Sequence, residues 1–265
     1  MTQVFTSEGL DLAFSDPFPE AGREPVLLVH GFASSAQVNW LAPGWVETLG
    51  RAGYRPIAFD HRGHGQSAKP RVAEAYAPER MAADTVALLD HLGLPRAHFF
   101  GYSMGARVSV FAALLYPARV FSLILGGLGI GLVEGVGDWD PIADALLAPD
   151  ASALPPGRPK MFRTFADQTR SDREALALCI ATSRTLVSEA DAAGIAQPTL
   201  IGVGTRDDIA GSAQALAALM PNAQAFSIEG RDHMLAVGDR TFKARALEFL
   251  AQHPLSARNA RFPET

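Results

Sequence analysis

Six short apolar runs recur along the chain, at 25–32 (PVLLVHGF), 54–60 (YRPIAFD), 97–102 (AHFFGY), 120–127 (VFSLILGG), 198–204 (PTLIGVG) and 223–230 (AQAFSIEG). Each is bounded by Gly, Pro or polar turn residues. Several are apolar at consecutive positions, the pattern of strands buried on both faces of a parallel sheet. Between them lie helical patterns at 45–52, 78–92, 106–116, 212–220 and 237–251. In the second of these, Met81, Val86, Leu89 and Leu92 fall at roughly helical spacing, and Gly93 and Pro95 end it. Strands alternating with helices at this rhythm predict an α/β fold, a doubly wound and mostly parallel sheet.

One stretch breaks the rhythm. From 129 to 196 there is no clear strand, only Gly- and Pro-punctuated segments such as LPPGRPKMF and helical ones such as DREALALCIATSRTLV. A connection this long is rarely structureless inside a compact domain. The expected organisation is therefore a core of residues 1–128 and 197–265, with a small helical cap or lid at 129–196 over the carboxyl edge of the sheet. The plainer alternative is a wandering crossover.

Composition limits the partners. A chain of 265 residues, 48% hydrophobic and 19% charged, is long enough to bury a sizeable core. Its net charge of -5, with no Lys/Arg cluster, offers no footprint for nucleic acid or an anionic membrane. The N-terminal MTQVFTSEGLDLAF has no basic region followed by an apolar run, and VFSLILGGLGIGLV is too short and glycine-rich to span a bilayer. A cytoplasmic protein acting on a small molecule is expected, of unspecified oligomeric state. The single cysteine, Cys179, has no Cys or His neighbours at metal-ligand spacing and reads as a buried small hydrophobe.

Ligands of open α/β sheets bind outside the carboxyl ends of the strands, so chemistry is sought at the strand exits. The run at 97–102 leads into Gly101-Tyr102-Ser103-Met104-Gly105, a G-x-S-x-G sequence at a strand-to-helix junction. Such a turn holds the serine in strained backbone geometry. Small residues two before and two after, Gly101 and Gly105, let strand and helix pass. The Met104 N–H, at the helix N-terminus, can stabilise a developing oxyanion, and the Phe32 N–H after His30-Gly31 is a second candidate donor. A serine hydroxyl also needs a base and a group to orient that base. His233, in GRDHM after the last run, and Asp207, three residues after Gly204, supply the order Ser103, Asp207, His233 that accompanies G-x-S-x-G on this type of sheet.

The pieces VHGF, DHRGHGQS, GYSMG, VGTRD and GRDH, in this order and over essentially the whole chain, resemble the α/β-hydrolase fold superfamily. The resemblance implies a serine hydrolase: Ser103 as nucleophile, His233 as general base and then acid, Asp207 as the orienting carboxylate, and the Phe32 and Met104 amides as oxyanion hole. It also implies that His30 braces the oxyanion loop and that 129–196 is a small lid. Asp208 would replace Asp207 if the loop register differed by one. His61 and His64, with Asp60 and Arg62, look like a ligand cluster, but the family uses this turn structurally. Trp139, Met161, Phe162 and Phe165 either line an acyl or alcohol pocket or pack the lid on the core. His91, His98 and His253 fall on faces away from the site.

The expected reaction is hydrolysis of a small carboxylic ester, lactone or thioester through an acyl-enzyme, with carboxylesterase chemistry as the expected class. C–C bond hydrolysis and cofactor-free perhydrolysis use the same triad, and fold and triad do not fix the substrate. A ligand receptor with slow or no turnover is a further alternative. Serine rather than aspartate at 103 argues against dehalogenase and epoxide hydrolase chemistry. No cofactor or metal is expected, because the sequence carries no dinucleotide fingerprint, Walker motif or metal-ligand spacing.

Overall fold

The computed structural model describes residues 2–135 and 137–255. Eight strands form one sheet: β1 (Gln3–Ser7), β2 (Leu10–Ser15), β3 (Pro25–Val29), β4 (Arg55–Phe59), β5 (Ala97–Tyr102), β6 (Val120–Gly126), β7 (Thr199–Gly204) and β8 (Ala223–Ile228). Their order is β1-β2-β4-β3-β5-β6-β7-β8; β3 to β8 run parallel, while β1 pairs antiparallel with β2 and β2 antiparallel with β4. The chain direction across the sheet reverses at β3, which lies between β4 and β5. The carboxyl ends of β3 and β5 are thus neighbours at a topological switch point, where such sheets bind ligands.

Alternation along the strands divides the core. Leu27, Val29 and Phe99 face one apolar cluster, and Val26, Leu28 and Phe100 face the other. The first cluster is completed by α2 (Pro78–His91), α3 (Met104–Leu115) and α8 (Ala213–Leu219). The second is completed by α1 (Trp45–Arg51) and α9 (Arg240–Gln252), with Trp40, Trp45, Phe100 and Phe242 in mutual ring contact. Both faces being covered explains why β3, β5 and β6 are buried throughout and lack a period of two in polarity; the two polar side chains among them, His98 on β5 and Ser122 on β6, bond to each other at 2.7 Å.

The N-terminal hairpin is an addition to the six expected strands. Ser7 pairs with Leu10 across a two-residue turn in which Glu8 and Gly9 have φ of 48° and 77°, the left-handed pair a tight hairpin needs. The first expected strand is also shorter than 25–32: it stops at Val29, and residues 30–34 form the loop described below.

Between β6 and β7 the described residues contain no strand. Four helices occupy this stretch: α4 (Asp140–Leu147), α5 (Arg158–Gln168), α6 (Arg173–Thr182) and α7 (Glu189–Gly194). Asp172 caps α6 by accepting the Ala175 N–H, and its carboxylate pairs with Arg71 at 2.6 Å. Thr182 donates to the Ala73 carbonyl at 3.0 Å. These contacts fasten the helical stretch to the segment after β4. Among the described residues no helix is long and apolar enough to cross a membrane.

Candidate active site

Ser103 sits between the end of β5 and the start of α3 with φ 53° and ψ -112°, a conformation that costs a non-glycine residue of order 1–3 kcal/mol. The backbone around it leaves no room for side chains. A Cβ on Gly101 would lie 2.3 Å from the Gly105 carbonyl oxygen, and one on Gly105 would lie 1.9 Å from the Val29 carbonyl oxygen. The two glycines therefore permit α3 to start directly against β3 and β5. The Ser103 N–H donates to the Gly126 carbonyl at 2.8 Å, fixing the turn to β6.

Two later strand exits reach the same point. His233 Nε2 is 3.0 Å from Ser103 Oγ, and its Nδ1 is 2.8 Å from Asp207 Oδ2. A carboxylate can only accept, so Nδ1 carries the proton and Nε2 accepts from the serine hydroxyl. Asp207 is itself held: its Oδ1 accepts the N–H groups of Ile209 and Ala210, each at 2.9 Å. Tyr102 Oη donates to the His233 carbonyl at 2.6 Å and its ring lies beside the imidazole. Asp208 points elsewhere: its side chain is 82% exposed and pairs loosely with Arg158 at 3.7 Å.

The loop after β3 is braced by three histidines. His30 Nδ1 donates to the Gly31 carbonyl at 2.8 Å while its Nε2 accepts the His61 N–H at 3.0 Å. His64 Nε2 accepts the Ala33 N–H at 3.2 Å and its Nδ1 donates to the Arg62 carbonyl at 3.0 Å. The His30 and His64 rings thus each use one nitrogen as acceptor and must be neutral, whereas His61 braces the loop through its backbone N–H and both nitrogens of its buried ring lack a hydrogen-bond partner. Burial lowers the pKa of His30, lowers that of His61 well below its ordinary value and takes that of His64 down to about 3. Asp60 completes the brace by accepting from the Ala36 and Gln66 N–H groups, both at 2.8 Å. Among the described residues no group of three His, Cys, Asp or Glu is placed to hold a metal ion.

Phe32 and Met104 flank Ser103 on one small cavity. Met104 is the first residue of α3, where a backbone N–H has no intrahelical partner. A residue that sequence reasoning missed also holds this loop: Asn39 Oδ1 accepts the Gly31 N–H at 2.7 Å. Asn39 lies in a π-helical turn, Gln37–Leu41, and nothing in its neighbours singles it out.

A larger cleft of about 280 Å³ opens above Ser103 and His233, lined by Phe32, Asn39, Phe162, Phe165 and Leu235 among others. Of the four candidate pocket residues, Phe162 and Phe165 are in it. Trp139 and Met161 are not among its lining. Phe162 and Phe165 share a face of α5 at i and i+3, whereas Met161 is turned to an outer groove with Met234. Trp139 is buried instead between Phe162 and the Arg184 guanidinium. Cys179 is buried against Met104, with sulfurs 3.7 Å apart, and burial pushes its thiol up to about 12. His91 abuts Phe14, His98 meets Ser122, and His253 stacks on Phe249, all outside the cleft.

The family model described as the alpha/beta hydrolase fold matches residues 24–151. Over 156 residues the chain is 35% identical to the dihydrolipoyllysine-residue acetyltransferase component of the acetoin cleaving system of Pseudomonas putida, covering 58% of this chain and 39% of that protein. Over 104 residues it is 41% identical to epoxide hydrolase A of Mycobacterium tuberculosis, covering 38% of this chain and 30% of that one. The chain thus spans well under half the length of these curated relatives. The solved structure of a hydrolase from Pseudomonas aeruginosa superposes with a TM-score of 0.79 at 26% identity, covering 94% of this chain and 98% of the other. The eight-stranded, mostly parallel sheet, its helices and these matches make one assignment: the chain has the α/β-hydrolase fold.

Proposed function

We propose that the protein is a serine hydrolase that cleaves a small carboxylic ester, or a similar lactone or thioester, through an acyl-enzyme. The observation that carries this reading is the continuous chain of hydrogen bonds from Asp207 through His233 to Ser103, at 2.8 and 3.0 Å. Ser103 Oγ attacks the carbonyl carbon as its proton passes to His233 Nε2. The Phe32 and Met104 amides receive the oxyanion, and losing one such donor typically costs roughly 3 kcal/mol in the barrier. As the carbonyl reforms, the ester C–O bond breaks and His233 returns the proton to the leaving oxygen. Water, deprotonated by the same nitrogen, then attacks the acyl-serine and releases the acid.

Asp207 orients the imidazole and stabilises its cation in this scheme, while Gly101 and Gly105 shape the turn and His30 and Gly31 set the oxyanion loop. Residues 129–196 serve as a lid on a core of 1–128 and 197–265, because α5 supplies Phe162 and Phe165 to the cleft. Serine at 103, where epoxide opening in similar proteins uses a carboxylate, favours acyl transfer over the chemistry in the name of the mycobacterial relative.

A fluorophosphonate probe tests the nucleophile: wild type should be labelled and Ser103→Ala should not. Short- and long-chain p-nitrophenyl esters test the reaction. Labelling without turnover of any ester would shift the reading to C–C bond hydrolysis by the same triad, and an unlabelled wild type would favour a receptor.

A further inference from the structure

The spaces around Ser103 differ sharply in size. Phe32, Ser103 and Met104 border one beside the nucleophile with room of about 10 Å³, which admits a single water-sized atom. That suits the carbonyl oxygen between the two amides and nothing larger. Both substituents of the carbonyl are therefore left to the cleft of about 280 Å³ above Ser103 and His233.

This cleft leads outward. Met234, next to the catalytic imidazole in the chain, and Phe165 line both the cleft and an outer groove of about 370 Å³. Both side chains are half-buried, so they form a saddle between the two spaces whose top is open. Beyond it the groove follows α5. Met161 and Phe165, at i and i+4, supply its apolar floor, and Lys160, Thr164 and Gln168, at i, i+4 and i+8, its edge.

The lining suits a neutral chain. Among the described residues no acidic side chain lines the cleft or the groove, and Lys160 is the only lysine or arginine. Its ammonium donates to the Ser152 and Leu154 carbonyls at 3.4 and 2.9 Å, which frees its methylene stem to cover apolar surface. Leu235, on the cleft, is 58% exposed, and Met161, in the groove, 36%. A single exposed apolar side chain is ordinary, but Leu235, Met234, Phe165 and Met161 follow one another along one path, as in a ligand-binding groove.

Proton transfer decides which part of a substrate takes that path. His233 Nε2 must reach the leaving oxygen, so the alcohol lies along the wall that His233, Met234 and Leu235 form. The acyl group is left within the cleft.

We propose that the groove along α5 is an alkyl-chain subsite. A linear alcohol chain runs from His233 over Met234 and Phe165 to Met161, making esters of a short acid and a long-chain alcohol the preferred substrates. The direction of the chain rests on the serine-hydrolase reading above; the affinity of the groove for an alkyl chain does not.

The test measures kcat and KM for acetates of linear alcohols from butyl to decyl, with ethyl esters of the matching linear acids as the reverse series, all kept monomeric. Calorimetric titration with free butanol and octanol accompanies it. KM should fall ~2- to 4-fold for each methylene added to the alcohol and should not fall along the acid series. Met161→Glu and Thr164→Glu, both at exposed positions of α5, should each cut the decyl-to-butyl ratio of kcat/KM by ~10-fold or more. Leu147→Glu, at an exposed leucine outside both spaces, should leave that ratio as in wild type. Thermal melts establish that each variant is folded. A kcat/KM level along the alcohol series overturns the subsite and leaves the esterase reading intact. So does a gain confined to the acid series, a gain that survives both α5 substitutions, or a loss that Leu147→Glu shares. If no ester is turned over but octanol binds wild type more tightly than butanol, and Met161→Glu removes the difference, the subsite stands and the esterase reading fails. Absence of both turnover and octanol preference overturns the subsite.

Discussion

His61 donates its backbone N–H to Nε2 of His30 over 3.0 Å, tying the loop after β4 to the loop after β3. That bond requires an unprotonated Nε2 on His30, as the Ala33 bond does on His64. The conformation of the loop that carries Phe32 thus depends on imidazoles that stay neutral inside the fold.

Stability should consequently fall with acid in a window set by these rings. All three have folded pKa values below the ordinary one near 6.5, so below that pH the unfolded chain binds protons that the folded chain does not. Stability then rises with pH across the window, which for His64 runs from about 3 to 6.5. Each ring contributes a slope of up to about 1.4 kcal/mol per pH unit. In His61→Phe, urea unfolding between pH 4 and 6 should show a slope smaller by about one ring's share. An unchanged slope would show that His61 is protonated within the fold.

Asp207→Asn should lower kcat by about 10⁴-fold with the melting temperature little changed, because the amide favours the wrong imidazole tautomer. Asp208→Asn should stay within about twofold of wild type, since that carboxylate lies in solvent. Steady-state kinetics on a p-nitrophenyl ester separates the two. Equal losses would mean that the acid is not the one bonded to His233 Nδ1.

Asn39→Ala removes the acceptor of the Gly31 N–H and frees the loop bearing the Phe32 amide. A misplacement of this kind should reduce kcat by about 10- to 100-fold while KM changes by less than about threefold. Undiminished kcat in a folded variant would show that the loop holds its shape on the histidines alone.

Two glycines should respond oppositely to alanine. Gly105→Ala forces a Cβ onto the Val29 carbonyl and should cost about 3 kcal/mol or more, or prevent folding. Gly194→Ala, at the end of α7, meets nothing within 4 Å and should gain about 0.5–1 kcal/mol. Denaturant midpoints measure both.

The inner parallel strands were legible because burial on both faces writes itself as nearly uninterrupted apolar runs, whereas β8, at the sheet edge with only Ile228 buried, mixes polar and apolar positions. The edge hairpin was less so: β1 exposes Gln3, Val4 and Thr6 and buries only Phe5 and Ser7, leaving a weak alternation whose best cue is the Glu8-Gly9 turn. Ser103, Asp207 and His233 announce themselves through local turn chemistry at strand exits. Asn39 does not, because its role arises from a partner eight residues away in a loop whose path no short motif specifies. For Trp139 the apolar character was visible but its direction was not, since the stacking on Arg184 depends on how α4 and α6 meet.

Helix α5 touches the loop after β3 as well as the cleft: Phe162 packs edge-on against Phe32 with centroids 5.6 Å apart, and Thr169 donates to the Ala33 carbonyl at 3.3 Å. The outline of the cleft and the aim of the amide at position 32 are therefore mechanically linked. Exchanging this helical stretch for that of a cousin would alter reactivity together with selectivity, and a library confined to α5 would sample both traits at once.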